Sequence, residues 1–532
     1  MIGTSATEYA FIRVCIFILH CVAPLSLLYC GIAIAISYPA RRLPTVVELW
    51  PVAEALFWTC FFLPYRSYLQ NAATHPALRS RKERRKLFNL VKAEVSEPER
   101  YIRGWFKGAR IEDIGLQNVK EWLTWAFLDR DWVDGKDEDE IEEYALEIKD
   151  MLRKDFRAER GAAEPLRLTI DPVNMLHRSL LWYLVSYWCR NIGISFWLTR
   201  PQCVGVVDFI AYLKLQRSGF HFHRLPLFCF WKMFPFRPVS LVTRYRSPSK
   251  HLSYWYRPHT STNCLPVLFV HGIGIGLYPY ISFLSEINFS LGADSEESDG
   301  QIGVLAIEVM SISFRITHSA LGKEDMCSEI REIVEKHNYD RFVLVSHSYG
   351  SVISTFILAD QYLRPKVASA LLVDPVTFLL HTPDVAYNFT ARQPRRANEW
   401  QLWYFASRDP GVAHALGRRF FWSHKAMWKG DVEDFVNDGG RLTVSLGGED
   451  LIVNTEAVGR YLTDSGVARA GQTGHVTCAS VNLRKDAWKD TEWKGVGLEV
   501  LWFRHLDHGQ VFDGKVTRAR LVEVVQSYCK EV

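Results

Sequence analysis

Ser348 occupies a position from which a serine can act as a nucleophile. The apolar run Phe342 to Ser346 is typical of a strand buried on both faces, and a helical pattern follows from Ser351 to Tyr362. A serine on a tight strand-to-helix turn is presented to substrate if the residues two before and two after it are small. Here those residues are Ser346 and Gly350. Because an ordinary turn gives the same pattern by chance, the neighbouring motifs decide its meaning.

A second apolar run, Leu265 to Val270, ends in the glycine-rich turn His271 to Gly276. Acyl transfer needs two N–H donors directed at the developing oxyanion, and glycine lets the backbone approach substrate closely. We assign the donors to the backbone N–H groups of Ile273 and Tyr349. A dinucleotide-binding turn is the alternative, but the glycines are spaced G-x-G-x-G rather than G-x-G-x-x-G.

Three further apolar runs also lead into side chains suited to acid–base chemistry. Each run is short and precedes a loop that carries a carboxylate or an imidazole: Asp374 after 368–373, Glu449 and Asp450 after 441–446, and His505 and His508 after 498–504.

Taken together, these motifs resemble the α/β-hydrolase superfamily over about residues 262–530, half of the chain. The resemblance rests on four strand-end segments in chain order: the turn with His271, Gly272 and Gly274, the elbow Ser346 to Gly350, the loop Gly447 to Val453, and the pair His508-Gly509. It implies an α/β-hydrolase fold, a mostly parallel sheet flanked by helices, with a cap inserted at about 377–438. The order Ser, Asp, His is the order this fold uses.

On this resemblance Ser348 is the nucleophile, and His508 takes its proton and returns it to the leaving group. Asp450 orients the imidazole and stabilises its protonated form. His508 is preferred to His505, because His505 lies on or beside the strand, where structural histidines are common.

Two other carboxylates compete with Asp450 for the acid position. Some members of the fold place the acid after the earlier strand, which here carries Asp374, although an Asp-Pro pair also suits a strand end with a rigid turn. Glu449, the neighbour of Asp450, is the third candidate.

The composition excludes several classes of protein. The 532 residues, 48% of them hydrophobic, are enough for two or three folded units. The net charge of only +4 does not indicate a general nucleic-acid binder. The eleven cysteines are scattered without metal-ligand spacing, which argues against a zinc site and a disulfide-stapled secreted domain. We expect no metal and no cofactor.

Val14 to Tyr38 contains no Asp, Glu, Lys or Arg and would extend about 37 Å as a helix. We expect one transmembrane helix at about 14–38, within an anchor unit 1–74. In the second apolar stretch, Leu49 to Pro64, Glu54 would cost roughly 3 kcal/mol at mid-membrane. An interfacial or re-entrant helix is therefore expected at 49–64.

Positive charge is heavier after the anchor than before it, at Arg41, Arg42 and the run Arg79 to Lys86. The positive-inside rule then puts the catalytic domain in the cytosol; the organelle stays open, and the endoplasmic reticulum is compatible. The basic run suits a solvated helix face or contact with acidic lipid headgroups. The acidic run Asp134 to Asp150 is interpreted as a solvated helix face.

We expect a helical accessory region at 75–235 and the hydrolase domain at 236–532. Helical faces are predicted around residues 119–126 and 141–152. The aromatic stretches 180–188 and 220–236 are interpreted as core in preference to a membrane-dipping surface.

The sequence therefore predicts a membrane-anchored serine hydrolase that cleaves a carboxylic ester, with a lipid as the expected substrate. Its expected partners are the lipid bilayer and an apolar ester, and not nucleic acid; the oligomeric state is not indicated. Two alternatives stay open, an acyltransferase with the same three residues and a catalytically silent hydrolase-like membrane scaffold. Aromatic residues of the cap would line an acyl pocket: Trp400, Trp403, Phe420, Phe421, Trp422 and Trp428.

Overall fold

The apolar runs that lead to the candidate site residues are strands of one eight-stranded sheet. The computed structural model of the protein describes residues 3–36, 45–184, 204–227, 232–237, 239–287, 300–464 and 486–530. The strands of the sheet, three of them additional to the five predicted, are β1 (His221–His223), β2 (Ser253–Arg257), β3 (Val267–Val270), β4 (Val304–Glu308), β5 (Phe342–His347), β6 (Val367–Val373), β7 (Arg441–Gly447) and β8 (Leu498–Phe503).

The strand order is β1-β2-β4-β3-β5-β6-β7-β8. β2 runs antiparallel to both of its neighbours, whereas the pairs from β4 to β8 are parallel. The predicted mostly parallel sheet is therefore confirmed. The carboxyl ends of parallel strands meet at one edge, where open α/β sheets bind ligands. The loops after β5, β6, β7 and β8 consequently lie at the same edge.

Helices cover both faces of the sheet. In chain order they are α1 (Ala6–Ile36), α2 (Thr45–Leu56), α3 (Leu63–Leu69), α4 (Arg81–Glu94), α5 (Pro98–Trp105), α6 (Leu116–Leu128), α7 (Glu138–Leu152), α8 (Leu180–Leu184), α9 (Val204–Arg217), α10 (Val239–Val242), α11 (Ile281–Glu286), α12 (Lys323–Lys336), α13 (Gly350–Leu358), α14 (Asp384–Ala386), α15 (Ala397–Gln401), α16 (Pro410–Arg419), α17 (Trp422–Lys425), α18 (Lys429–Asn437), α19 (Thr455–Thr463) and α20 (Lys515–Cys529). The segment from α14 to α18 lies between β6 and β7, where the sequence predicts the cap.

Alternate residues of β5 enter two different cores, since successive strand side chains point to opposite faces. Leu344 joins a core built with the cap and the helices α4 to α7. Val343 and Val345 join the other core, with α11 and α20.

The accessory region is continuous with the hydrolase core rather than a separate unit. Phe88, Trp105 and Trp122 share one hydrophobic cluster with Leu344 of the sheet. The predicted helical faces in α6 and α7 are buried. The predicted domain boundary at residue 236 needs correction, because His221 in β1 already pairs with β2 in the sheet. β1 lies between α9 and the predicted boundary, so the sheet itself crosses it.

Both aromatic stretches of this region contribute to the core where they are described. Trp182, Tyr183, Phe220 and Phe222 are buried, which agrees with the core interpretation. Residues 185–188 and 228–231 lie outside the described residues.

The basic and acidic runs form ion pairs with each other. Outside these pairs the solvated-face interpretation holds, because Lys82, Lys86, Glu138, Asp139 and Asp150 are exposed. Arg84 of α4 forms a buried ion pair with Glu140 of α7, and its guanidinium also lies 2.8 Å from Asp137. Arg85 is 2.6 Å from Glu147. Opposite charges on two facing helices therefore hold α4 to α7, and Arg84 and Arg85 pair with carboxylates of the protein.

The N-terminal segment contains two apolar helical stretches that pack together. By length and composition, Ala6–Ile36 and Val47–Leu69 are each apolar enough to cross a membrane. The second stretch runs from α2 through a π-helical turn, Phe57–Phe62, into α3. The hydroxyl of Tyr29 donates a hydrogen bond to Glu48 at 3.3 Å across the pair. Residues 37–38 at the end of the predicted span lie outside the described residues.

Glu54 is fully buried within the protein, where its carboxylate accepts a hydrogen bond of 3.0 Å from the backbone N–H of Leu180. This corrects the reason for assigning 49–64 to the membrane interface, because the acidic side chain faces protein rather than lipid. The first half of α1 also contacts the cap: Ile12 and Ile16 are buried.

Candidate active site

Ser348 lies at a strained turn between β5 and α13. Its φ is +52°, in the left-handed region that a non-glycine residue adopts at a cost. Its backbone N–H donates to the carbonyl of Val373 on β6 at 2.9 Å. A Cβ on Gly350 would lie 2.4 Å from the carbonyl oxygen of Val270. Glycine is therefore required there for α13 to pack against β3.

Ser346, which stands where a glycine is usual, is fully buried. Its hydroxyl oxygen accepts a hydrogen bond of 2.8 Å from the hydroxyl of Ser354 in α13. A buried hydroxyl needs such a partner, so the departure from the usual motif is satisfied within the turn.

The three residues grouped from the sequence meet in space. Nε2 of His508 lies 2.8 Å from Oγ of Ser348, and Nδ1 lies 2.7 Å from Oδ2 of Asp450. In the tautomer that satisfies both contacts, the Nδ1–H donates to the carboxylate and Nε2 accepts the serine hydroxyl proton. Ser348 and His508 are 6% and 8% exposed, so the contacts are shielded from solvent.

The carboxylate of Asp450 is fixed by its own loop. Oδ1 accepts the backbone N–H of Ile452 at 2.7 Å and of Val453 at 2.9 Å. The other oxygen is thereby directed at His508.

The competing candidates His505, Glu449 and Asp374 make other contacts. The side chain of His505 is 78% exposed, with its ring 3.5 Å from Glu449; this pair is at the surface. Asp374 is buried beside the site, but its two oxygens accept the backbone N–H groups of Gly447 and Gly509, at 2.9 and 2.8 Å. Asp374 therefore holds the acid loop and the histidine loop together.

The carboxylates dominate the electrostatics of the site. Burial lowers the pKa of His508, but the hydrogen-bonded charge of Asp450, followed by the charge of Asp374, outweighs this effect and raises the pKa above its ordinary value. Burial and the neighbouring charge of Asp450 raise the pKa of Asp374. The imidazole is thus surrounded by groups that stabilise its protonated form.

The glycine-rich turn lies against the candidate nucleophile. A Cβ on Gly272 would be 2.8 Å from Cβ of Ser348, so the backbone approaches as closely as the sequence indicated. Among the described residues, no protein acceptor receives the N–H of Ile273 or of Tyr349. Two N–H groups beside the serine are therefore available to an oxygen of a substrate.

His271 supports this turn and does not reach Ser348. It is fully buried, its Nδ1–H donates to the carbonyl of Gly272 at 2.7 Å, and its Nε2 accepts the N–H of Val309 at 3.0 Å. In Gly274 the backbone N–H donates to the carbonyl of Ile312 at 3.1 Å. These contacts fix the path of the turn.

Asp374, Asp450 and His508 bring ligand-type atoms within 4.8 Å of one another. Both oxygens of Asp374 and one of Asp450 already accept backbone N–H groups. A cation held by all three residues would replace the contact between His508 and Asp450, so the arrangement suits orientation of the imidazole better than metal binding.

Ser348 opens into an apolar cavity that contains about 590 Å³ of space between atoms, part of it open to solvent. Apart from the hydroxyl groups of Ser348, Tyr349 and Thr390, the walls are apolar. Of the predicted cap aromatics, Phe420 and Trp422 line the cavity. Other side chains around it are Ile273, Val376, Leu380, Val385, Ala386, Phe389, Leu416 and Ile452.

One wall of the cavity comes from the accessory region, which sequence reasoning did not connect with the site. Trp105 of α5, Trp125 of α6 and Leu168 line the space above Ser348. Their apolar periodicity marks them as buried but does not indicate which surface they face, because core and pocket positions share the same pattern.

Residues 266–437 match the family model described as alpha/beta hydrolase fold. No curated protein matches the sequence.

Three esterases are among the solved structures to which the chain is similar. A carboxylesterase of the thaumarchaeon Nitrososphaera gargenis is 14% identical over 54% of this chain and 98% of its own, with a TM-score of 0.33. Carboxylesterase CesB of Bacillus subtilis is 11% identical over 62% and 100%, with a TM-score of 0.31. Esterase RhEst1 of Rhodococcus sp. ECU1013 is 14% identical over 52% and 94%, with a TM-score of 0.33.

Proposed function

This chain has the α/β-hydrolase fold, and we propose that it is a membrane-anchored serine hydrolase that cleaves a carboxylic ester with an apolar acyl group. The observation that carries the proposal is the continuous contact from Ser348 through His508 to Asp450, at 2.8 and 2.7 Å. An activated serine with its base and orienting acid in hydrogen-bond reach is the signature of nucleophilic acyl transfer.

In the proposed reaction Oγ of Ser348 attacks the ester carbonyl carbon while its proton passes to Nε2 of His508. The N–H groups of Ile273 and Tyr349 bind the oxyanion; loss of one such donor costs about 3 kcal/mol. The tetrahedral intermediate collapses, and the protonated imidazole gives its proton to the departing alcohol. Water then attacks the acyl carbon while His508 takes its proton. The second tetrahedral intermediate collapses by breaking the bond between the acyl carbon and Oγ, His508 returns the proton to Oγ of Ser348, and the carboxylic acid leaves.

The cavity supports an apolar acyl group as the part of the substrate that is recognised. Its walls beyond Ser348 offer few hydrogen-bonding groups, so a polar acyl group would lose hydration without compensation. A long hydrocarbon chain would gain about 0.8 kcal/mol for each buried CH₂. A lipid ester fits this requirement, and the two apolar N-terminal stretches support a location at a membrane where such esters reside.

Labelling with a fluorophosphonate probe tests the proposal. The wild-type protein, in detergent or liposomes, is expected to form a covalent adduct at Ser348, and Ser348→Ala is expected to lose it together with hydrolysis of p-nitrophenyl esters. Ser96→Ala is the matched control, because Ser96 is exposed and outside the site.

A well-folded wild-type protein that is neither labelled nor active would contradict the proposal and favour the silent scaffold. Addition of an alcohol acceptor separates hydrolysis from acyl transfer: an ester product formed in preference to the free acid would identify an acyltransferase.

A further inference from the structure

Asp507 has a buried carboxylate that binds both loops of the candidate site. One oxygen accepts the backbone N–H of His508 at 2.7 Å and of Leu451 at 3.0 Å. Leu451 follows Asp450 directly, and His508 follows Asp507 itself. The side chain of Asp507 therefore fixes the backbone beside the base and beside its orienting acid at the same time.

The second oxygen of Asp507 accepts the side-chain amide of Asn398 at 3.0 Å. Asn398 lies on α15 in the cap and is 6% exposed. Its own oxygen accepts the N–H of Glu399 at 3.1 Å, which sets the orientation of the amide. All three partners of Asp507 are donors, so its carboxylate is an acceptor throughout.

Two further cap side chains reach the acid loop. The amide of Asn388 donates to the carbonyl of Ile452 at 3.0 Å, and the guanidinium of Arg392 donates to the carbonyl of Leu451 at 2.8 Å. These bonds all join the cap to the loops without touching Ser348. Asn398 differs because its partner, Asp507, is bonded to the histidine loop as well.

α15 is itself held from the opposite side by the apolar helix α1. The guanidinium of Arg13 lies 3.9 Å from the centre of the Trp400 ring, and Ile12 and Ile16 are buried in the same core. The cap helix is thus fixed between α1 and the histidine loop.

From these contacts we infer that Asn398 and Asp507 form a positioning pair through which the cap sets the geometry of His508 and Asp450. The inference rests on the proposed function for its effect on rate. Neither residue lines the cavity or contacts Ser348. Small displacements of a catalytic group lower a rate about a hundredfold per ångström, so loss of the pair reduces turnover more than substrate binding.

Kinetics with p-nitrophenyl acetate on the full chain test the pair. Asn398→Ala is expected to lower kcat about tenfold to a hundredfold with KM changed by less than about twofold. Asn437→Ala is the matched control, because Asn437 is exposed on the cap helix α18; its kcat is expected to equal that of the wild type.

A swapped pair distinguishes positioning from general loss of packing. Asn398→Asp alone sets two carboxylates against each other, and Asp507→Asn alone sets two amide donors against each other. The double variant Asn398→Asp/Asp507→Asn restores one donor and one acceptor. Its kcat is expected to recover toward the wild-type value, above both single variants.

Hydrogen exchange gives a readout that does not depend on activity. Asn398→Ala is expected to accelerate amide exchange in peptides covering 447–454 and 504–510, and the swapped pair to slow it again. Unchanged kcat and exchange in Asn398→Ala, or a swapped pair no better than its single variants, would overturn the inference. If hydrolysis does not depend on Ser348, the proposed function fails, while the exchange measurement still decides whether the pair holds the loops.

Discussion

Asp450 and Asp374 both lie beside His508, and at the scale of single residues their hydrogen bonds separate their roles. Asp450 contacts Nδ1 at 2.7 Å, whereas both oxygens of Asp374 accept backbone N–H groups of the adjoining loops. From the sequence both are acids at strand ends. The two carboxylates differ in the direction in which they point, and this direction depends on how each loop folds after its strand.

Asparagine substitutions test this separation. Asp450→Asn is expected to lower kcat about 10⁴-fold, because the amide favours the wrong imidazole tautomer, and Asp374→Asn to lower it much less. Steady-state kinetics with p-nitrophenyl butyrate measure both, with Asp490→Asn as the exposed control. A larger loss in Asp374→Asn would move the acid role to Asp374.

The pH dependence of Asp374→Asn has a defined sign. The charge of Asp374 is among the causes that raise the pKa of His508, so its removal lowers that pKa. A general base acts in its neutral form, and kcat/KM rises with pH as the imidazole deprotonates. The acidic limb of the kcat/KM profile is therefore expected at lower pH in Asp374→Asn than in the wild type. A limb that stays in place or moves to higher pH would contradict this electrostatic account.

At the scale of elements, the cavity is built by three parts of the chain: the strand-end turns, the cap and the helices α5 and α6. Ala386 of the cap is half-buried at its wall. A phenylalanine ring at this position would occupy space that an acyl chain would use. The substitution Ala386→Phe is therefore expected to alter recognition of acyl-chain length and to leave Ser348 in place.

Ala386→Phe is expected to lower kcat/KM for p-nitrophenyl decanoate at least about tenfold, the usual scale for changes in an apolar pocket. The value for the acetate ester is expected to stay within about twofold. Ala359→Phe, at an exposed position after α13, is the control. Equal losses for both esters would mean that the acyl chain does not occupy this cavity.

The ion pairs between α4 and α7 include one that is buried. The side chains of Arg84 and Glu140 are 4% and 1% exposed, so Arg84→Ala leaves a buried carboxylate whose remaining ion pair, with Arg81, is 3.9 Å long. The expected loss in unfolding free energy is about 3 to 5 kcal/mol, measured by urea denaturation. Arg100→Ala, which removes an exposed pair with Glu97, is expected to cost less than about 1 kcal/mol. Similar losses in the two variants would show that burial of the first pair has no energetic consequence.

At the scale of the whole molecule, α1 and the α2–α3 stretch pack together and both contact the hydrolase half. Ile12 of α1 is buried against the core, and the guanidinium of Arg418 in the cap donates to the carbonyl of Asn71, just after α3, at 2.8 Å. In the proposed membrane-anchored arrangement, two packed apolar stretches that both contact the hydrolase half predict a hairpin in place of the single pass expected from sequence.

A hairpin places the N-terminus and the hydrolase half on one side of the membrane. Epitope tags before residue 6 and after residue 530 are therefore expected to share the same protease sensitivity in sealed microsomes, with detergent-opened vesicles as the control. Tags with opposite sensitivity would restore the single-pass arrangement.

Apolar runs in the sequence located the strands that lead to the candidate site, and the small residues around Ser348 located the elbow. The class of fold was predicted from the resemblance of four strand-end segments to the α/β-hydrolase superfamily. The cap at 377–438 was expected because the fold implied by that resemblance inserts one at this place. The strands β1 and β2 were not found, since their short runs mix aromatic and polar residues. β4 was overlooked although its first four residues, Val304 to Ile307, are apolar.

Which distant residues meet depends on the tertiary structure. Contacts between segments that are far apart in the chain set four features: the orientation of Asp374, the hydrogen bond between Asn398 and Asp507, the cavity wall at Trp105 and the burial of Glu54. Periodicity and composition indicate that a side chain is buried but carry no information about its partner across the fold. Those contacts depend on the packing of cap, accessory helices and sheet around one edge, which is where the chemistry is proposed to occur.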